Sequence, residues 1–255
     1  VRKNQIFFKW YGGTYRKVLK NFDHLFVQNE ASKRFLARID ITRVSVVGDT
    51  RFDRVLQIRD AAKDLPIVEA FKGGRKTFVA GSSWAPDEDI FINYFNEHSD
   101  VKLIIAPHVI DENHLVEIIS KLNRSYVRYT KATLENVKNA ECLIIDCFGL
   151  LSSIYRYGDV SYIGGGFGVG IHNTLEAAVY GIPVIFGPKY QKFMEAKALI
   201  DAGGAYSINN FEQFKVLTDR LYTDEKFYRE TCVGAGGYVK QNAGASDKIL
   251  KKINF

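Results

Sequence analysis

Cysteine is scarce in this 255-residue chain: Cys142, Cys147 and Cys232 form an odd, widely spaced set. They show no metal-ligand spacing, so reduced thiols in a cytoplasmic setting are the expectation, with Cys142 and Cys147 as packing residues in or beside the apolar stretch ECLIIDC. No apolar run reaches the length of a membrane span, and no signal peptide is visible. Internal repeats and low-complexity segments are missing too. So are a Ser-His-Asp order, a pair of catalytic carboxylates and a P-loop.

What remains is ordinary for a soluble globular protein: 46% hydrophobic and 25% charged residues, in a chain long enough to bury a substantial core. The chain begins at Val1 without an initiator Met and in mid-pattern, which reads as a piece of a longer protein. Its charge is lopsided. Residues 1–63 carry 14 Lys/Arg against 6 Asp/Glu, and the remainder carries 21 against 23. The first 20 residues hold six basic side chains and no acid, interleaved with Phe7, Phe8, Trp10, Tyr11 and Tyr15. That composition suits an anionic membrane surface or a phosphorylated lipid, a single-stranded nucleic acid groove, or a solvated basic helix whose aromatics pack inward.

Apolar runs of strand length recur: HLFVQN (24–29), VSVVG (44–48), KTFVAG (76–81), VKLIIAP (101–107), YVRYT (126–130), ECLIID (141–146), DVSYIGG (159–165) and PVIFG (183–187). Stretches of helical periodicity separate several of them: EASKRFLARI, DEDIFINYFNEH, DENHLVEIISKL, LLSSIYRYG, NTLEAAVYG and KFMEAKALIDAG. The C-terminal SDKILKKINF is helical in pattern as well. β-Branched runs without alternation suit strands buried on both faces, and strand alternating with helix implies an α/β, Rossmann-like doubly wound parallel sheet. The expected layout is a remnant of a preceding domain over 1–50, a linker over 51–74 and a complete domain over 75–255. In open parallel sheets ligands bind at the carboxyl ends of the strands. Four runs end there in small or polar residues: SSWAPDED, HVIDEN, CFG and GFGVGIHN.

The sharpest feature is GGGFGVGIHNTLEA (164–177). Gly164, Gly165, Gly166, Gly168 and Gly170 lead into His172, Asn173 and a helical pattern with Glu176 one turn in. Such a loop lets a phosphate approach backbone N–H groups at a helix N-terminus. It is not the Rossmann fingerprint, because PVIFGP lacks the expected acid. The structural alternative is a tight turn, with Asn173 capping the helix and Glu176 reaching back as in a capping box. Ser82 or Ser83 caps a second helix, with Asp87 and Glu88 in its first turn. His108, after Pro107, ends a strong strand at a crevice position. The residues alone indicate a nucleotide or sugar-phosphate binder.

Taken together, GDTRFD (48–53), VAGSSWAPDE (79–88), IIAPH (104–108), the run from Ile144 to Pro188 and the YQKFMEA that follows resemble the bacterial 3-deoxy-D-manno-octulosonic acid (Kdo) transferases. The resemblance implies an inverting, metal-independent glycosyltransferase of GT-B architecture, needing no cofactor. It would move Kdo from CMP-Kdo to a lipid A precursor at the cytoplasmic face of the inner membrane, in lipopolysaccharide synthesis. The present chain would be the donor-binding C-terminal part, preceded by the end of the acceptor domain. Nucleic acid has no place in that reading. Carried over by position, the CMP contacts are Pro107 with His108, then Phe148, Gly149 and Leu150, then Asn173, Thr174, Leu175 and Glu176, the last on the ribose hydroxyls. Arg51 takes the place of a transition-state cation, unless it is tied up in a salt bridge to Asp49 or Asp53. Two positions depart from the family pattern. His108 stands where an Arg is usual, and Leu150 where an acid is usual. The family's membrane anchor and catalytic Glu belong upstream of Val1, so this chain is expected to bind donor without transferring sugar by itself. A UDP-sugar 2-epimerase and a nucleic-acid-binding module are the competing readings.

Overall fold

In the computed structural model, which describes Val1 and residues 4–253, the strand-length runs pair into two sheets, both wholly parallel. The chain divides into two units: Val1–Arg54 with the stretch from Gln241 on, and Val55–Lys240.

The first unit holds helix α1 (Gly13–Lys20), strand β1 (Leu25–Val27), helix α2 (Glu30–Ala37) and strand β2 (Val44–Val46), with β1 and β2 paired in parallel. Asn29 caps α2 by accepting from the Ser32 N–H at 2.9 Å, which satisfies one of the orphan donors of a helix start. Its small core is Val27, Leu36, Ile39, Ile41 and Val44, with Phe7 and Phe8 packed against it. The inward packing of the other N-terminal aromatics is overturned. Trp10 is 90% exposed, Tyr11 and Tyr15 are exposed, and α1 buries no residue.

The unit boundary at 54/55 falls within helix α3 (Thr50–Asp60), and α4 (Pro66–Lys72) follows. The stretch expected as a linker, 51–74, is therefore mostly helix. Val68 and Phe71 of α4 are fully buried, so α4 is part of the larger unit's packing. After it come β3 (Lys76–Ser83), α5 (Ala85–Glu97), β4 (Val101–Pro107), α6 (Glu112–Lys121), β5 (Tyr126–Arg128), α7 (Asn136–Asn139), β6 (Cys142–Ile144) and α8 (Leu151–Ile154). Next are β7 (Val160–Ile163), α9 (Leu175–Ala178), β8 (Val184–Phe186), α10 (Met194–Asp201), β9 (Ala205–Ser207), α11 (Phe211–Thr223) and α12 (Glu225–Asn242). The last helix, α13 (Ala245–Ile253), groups with the first unit, whereas the sequence reading carried the second domain through to 255.

The seven strands of the larger unit lie in the order β5-β6-β4-β3-β7-β8-β9. Every residue of β4, β6, β7 and β8 is buried, the burial expected of a sheet covered on both faces. Phe78 on β3 meets Phe95 at 4.8 Å and Phe214 at 5.8 Å between ring centroids, at the centre of the core. Each such fully buried ring stabilises the fold by roughly 1.5–3 kcal/mol. β3, the first of these seven in chain order, sits mid-sheet. The chain then builds β4, β5 and β6 on one side and crosses to β7 on the other. The loops after β3 and β7 therefore part, and the crevice between them is the topological switch point where ligands of such sheets bind.

Candidate functional site

At the end of β3 the backbone is bent. The register with β4 shifts between Gly81 and Ser83, and Ser82 sits at φ 54°, a left-handed conformation that costs a non-glycine residue about 1–3 kcal/mol. The His108 N–H donates to the Ser83 carbonyl at 2.9 Å, drawing the ends of β3 and β4 together and placing buried Pro107 beside exposed His108 at the crevice. Neither Ser82 nor Ser83 caps α5. Trp84 is the N-cap residue, and the Ser83 hydroxyl donates instead to Glu88 at 2.8 Å.

Asp87 and Glu88 lie in the first turn of α5, as expected, but both are buried, at 1% and 0% exposure. Asp87 Oδ2 accepts from the Trp84 N–H at 3.0 Å and the Gly165 N–H at 2.8 Å, and Oδ1 accepts from the Tyr162 hydroxyl at 2.8 Å. One carboxylate thus ties the helix start to the glycine loop. Burial pushes its pKa up, against the pull of those three donors.

The glycine loop is compact. Gly168 and Gly170 N–H groups both donate to the Gly165 carbonyl, and the His172 N–H returns to the Gly164 carbonyl. A Cβ on Gly164 would stand 2.1 Å from the Ser82 oxygen, and one on Gly166 2.5 Å from the Gly187 nitrogen. Gly165 and Gly170 have φ of 89° and 109°. Close backbone packing and left-handed turns therefore account for four of the five glycines. Gly168 alone has open space around its Cα. Lys189, after β8, ties the loop from outside, with its N–H on the Gly166 carbonyl and its Nζ on the Gly168 carbonyl, both at 2.9 Å.

Three rings from three strand ends meet at the crevice. His108 stacks on Trp84 at 4.8 Å and on His172 at 4.3 Å, with interplanar angles of 29° and 27°. The Trp84 Nε1–H donates to His172 Nε2 at 3.2 Å. Burial, and next the neighbouring His108, hold the His172 pKa below its ordinary value.

The helix after the glycine loop is only four residues long, so the structure offers much less helix dipole there than the pattern NTLEAAVYG implied. The capping arrangement also differs. Asn173 Oδ1 accepts from the Leu175 N–H at 3.2 Å, while Glu176 accepts from the Asn173 side-chain amide at 2.9 Å rather than from a backbone N–H. Leu175 is buried beneath this turn. The Thr174 hydroxyl is buried without a hydrogen-bond partner among the described residues. On β6 the following loop exposes Phe148 to 80%, turns at Gly149 (φ 87°) and half-buries Leu150. Asp146 anchors that loop's start, accepting from Arg128 Nε at 2.8 Å and from the N–H and hydroxyl of Thr130.

Behind the crevice, Glu88 meets His114 of α6, whose Nε2 lies 3.0 Å from Oε2 and whose Nδ1 lies 2.9 Å from the Val109 carbonyl. A carbonyl only accepts, so Nδ1 carries a proton, and the two side chains share the proton of the second bond. In the first unit, Arg51 is paired with Asp49, Nη2 to Oδ2 at 2.7 Å, while Asp53 accepts from the Gly244 and Ser246 N–H groups. Among the described residues no cluster of three or more His, Cys, Asp or Glu side chains could hold a metal ion. No helix among them is long and apolar enough to cross a membrane.

Among the residues named from sequence, Pro107, His108, the glycine loop, His172 and Asn173–Glu176 belong to the larger unit, on loops at the carboxyl ends of β4 and β7, and the 148–150 loop follows β6. Sequence reasoning missed Trp84, the anchoring role of Asp87, the Glu88–His114 pair, and Lys189. The signals for Trp84 and Lys189 were their places directly after strands.

A seven-stranded parallel sheet with its crevice at the switch point is the Rossmann-like half of a GT-B architecture. Solved structures bear this out. The C-terminal CMP-Kdo binding domain of WaaA from Acinetobacter baumannii matches with a TM-score of 0.57 at 20% identity, over 74% of this chain and 97% of that one. A UDP-GlcNAc 2-epimerase from Neisseria meningitidis matches at 0.66 and 16% identity, over 99% and 67%. These likenesses show the fold.

In sequence, no family profile matches. The chain is 28% identical over 200 residues to a 3-deoxy-D-manno-octulosonic acid transferase of Aquifex aeolicus, covering 76% of this chain and 52% of the relative. It is 26% identical over 254 residues to the Rickettsia typhi transferase of the same name, covering 94% and 53%. A bifunctional glycosyltransferase/methyltransferase of Fusobacterium nucleatum is 26% identical over 252 residues, covering 94% and 38%. The similarity to Kdo transferases read from the motifs thus extends over most of the chain, and the chain spans 38 to 53% of these relatives' lengths.

Proposed function

We propose that this chain is the donor-binding part of a Kdo transferase that holds CMP-Kdo in the crevice at the carboxyl ends of β3, β4, β6 and β7. The observation that supports it is the convergence of the motif-bearing loops on that crevice, in a chain whose sequence similarity is to such transferases. In this reading Pro107 and His108, the Phe148–Leu150 loop and Asn173–Glu176 contact CMP. Glu176, held by the Asn173 amide, accepts from the ribose hydroxyls.

The reaction we assign is inverting and metal-independent, so protein cations must offset the charge on the departing cytidylate. Arg51 is our candidate, and to act it must exchange Asp49 for the leaving group. The general base comes from outside these residues, so the chain alone binds donor without turnover. The acceptor is a lipid A precursor at the cytoplasmic face of the inner membrane. Residues 1–50 are then the end of the acceptor domain, and the exposed Trp10, Tyr11 and Tyr15 beside Lys9, Arg16 and Lys17 meet an anionic lipid surface.

Calorimetric titration with CMP, using UDP as control, tests the donor reading. CMP binds more tightly than UDP, and Glu176→Ala weakens CMP by about tenfold, the worth of one charge-assisted hydrogen bond. Preference for UDP moves the assignment to a 2-epimerase-like chemistry. Binding of neither nucleotide overturns it for this chain.

A further inference from the structure

The crevice contains a ring arrangement of which the donor reading uses only His108. Trp84 and His172 lie 88 residues apart and meet edge to edge through the indole N–H, while His108 lies against both rings. An indole N–H can only donate, so His172 Nε2 must be the unprotonated nitrogen and Nδ1 must carry the ring's proton. Nδ1 has no protein partner among the described residues. A second proton would have to enter at Nε2, which would break the bond to Trp84 and place a cation against His108 in a half-buried position. The lowered pKa of His172, from burial and then from His108, agrees with a ring that stays neutral.

We propose that Trp84 is a positioning residue: it fixes His172 as the neutral Nδ1–H tautomer, so that this imidazole donates a hydrogen bond to an oxygen of the bound sugar nucleotide, a phosphate or carboxylate oxygen. The ligand half of the proposal rests on the donor reading above. The tautomer half stands on this geometry alone. A neutral donor on a stacked ring binds an anion's oxygen without losing the bond when pH rises, and without a mobile counter-charge in the crevice. Two elements distant in sequence are coupled by it: the start of α5 and the turn before α9.

The test uses the ¹⁵N-labelled chain and its Trp84→Phe variant, which keeps an aromatic ring in the stack and removes the N–H. Long-range ¹H–¹⁵N spectra, with the His172 signals identified from His172→Gln, report which ring nitrogen is protonated. The wild type shows Nδ1–H alone, and Trp84→Phe shows a mixture of tautomers. Titration with CMP-Kdo then gives affinity about five- to tenfold weaker in Trp84→Phe and in His172→Phe, the scale of one lost hydrogen bond. His172→Gln, whose amide can accept from Trp84 and donate outward, stays within about twofold of wild type by the same scale. Nε2–H in the wild type overturns the proposal, as does CMP-Kdo affinity unchanged in Trp84→Phe. If the wild type binds no CMP-Kdo at all, the donor reading and the ligand half fail together, and the spectra still decide whether Trp84 sets the tautomer.

Discussion

Asp87 and Gly165, 78 positions apart, are joined by a 2.8 Å hydrogen bond from the glycine's N–H to the aspartate's Oδ2. The bond fixes the first glycine turn of the candidate site to the start of α5. With the Trp84 N–H and the Tyr162 hydroxyl on the same carboxylate, Asp87 links the start of α5 to the end of β7 and its loop at the switch point. A buried acid with only donors around it serves as an anchor, since a proton on it would set a donor against a donor.

Asp87→Asn replaces one acceptor oxygen with an NH₂ group facing those donors. Urea unfolding of the variant should show a loss of about 3 kcal/mol, the range for a buried charged group left badly paired. Asp89→Asn, at a 61% exposed acid paired with Lys121, should stay within about 1 kcal/mol and controls for charge removal alone.

The glycines of the loop should respond unequally to alanine. Gly166→Ala drives a methyl into the Gly187 backbone at 2.5 Å and has nowhere to relax, so a destabilisation of about 3 kcal/mol or more is expected. Gly168→Ala meets open space and should fall within about 0.5 kcal/mol of wild type. Thermal unfolding of the two variants side by side checks this. Equal tolerance at both positions would show that close packing is not what fixes the loop.

Stability should also carry the signature of Glu88 and His114. The His114 pKa is raised: burial works against this, and the bonds to Val109 and Glu88 outweigh it. A histidine raised on folding contributes stability that is fully present below its unfolded value, about 6.5, and is lost as pH rises through the folded value. Glu88 is also raised, by burial first and against the pull of His114, so the folded state keeps its proton longer and the dependence has the same sign. Unfolding free energy should therefore fall from pH 6 toward pH 8.5, and His114→Gln should flatten that slope. A wild-type slope of opposite sign would sink the account.

For the membrane reading, Trp10→Ala should reduce co-sedimentation of the chain with vesicles rich in anionic lipid and leave stability within about 0.5 kcal/mol, because the side chain is 90% exposed. Retention on anionic vesicles by Trp10→Ala combined with Tyr11→Ala and Tyr15→Ala would remove the aromatic contribution.

Much of the fold was legible because its signals are local. The run VKLIIAP (101–107) became β4 over those same residues, and the other seven strand-length runs all contain strands. Doubly buried strands show as unbroken β-branched stretches, and this needs no tertiary information. What was missed is short or disguised. β9 lies in AGGAYSINN (202–210), where glycine and polar residues leave no apolar run to show a strand. α12 runs through Gly234, Gly236 and Gly237, which read as helix breakers until their neighbours are known. A Cβ at Gly234 would stand 2.4 Å from the Ala202 oxygen, so close packing requires that glycine within the helix.

The same division applies to the site. The sequence by itself determined that strand ends rich in glycine, histidine and small residues recur in order, and that their order resembles Kdo transferases. It could not tell a glycine kept for a ligand from one kept for a neighbouring backbone, because that depends on what lies within 3 Å across the sheet. Nor could it pair Trp84 with His172, Asp87 with Gly165 or Glu88 with His114. Those partners lie 26 to 88 residues apart, on loops and helix starts that only the strand order brings together. Local pattern fixes which residues form strands and helices. Topology decides which strand ends are neighbours, and the site is made of such neighbours.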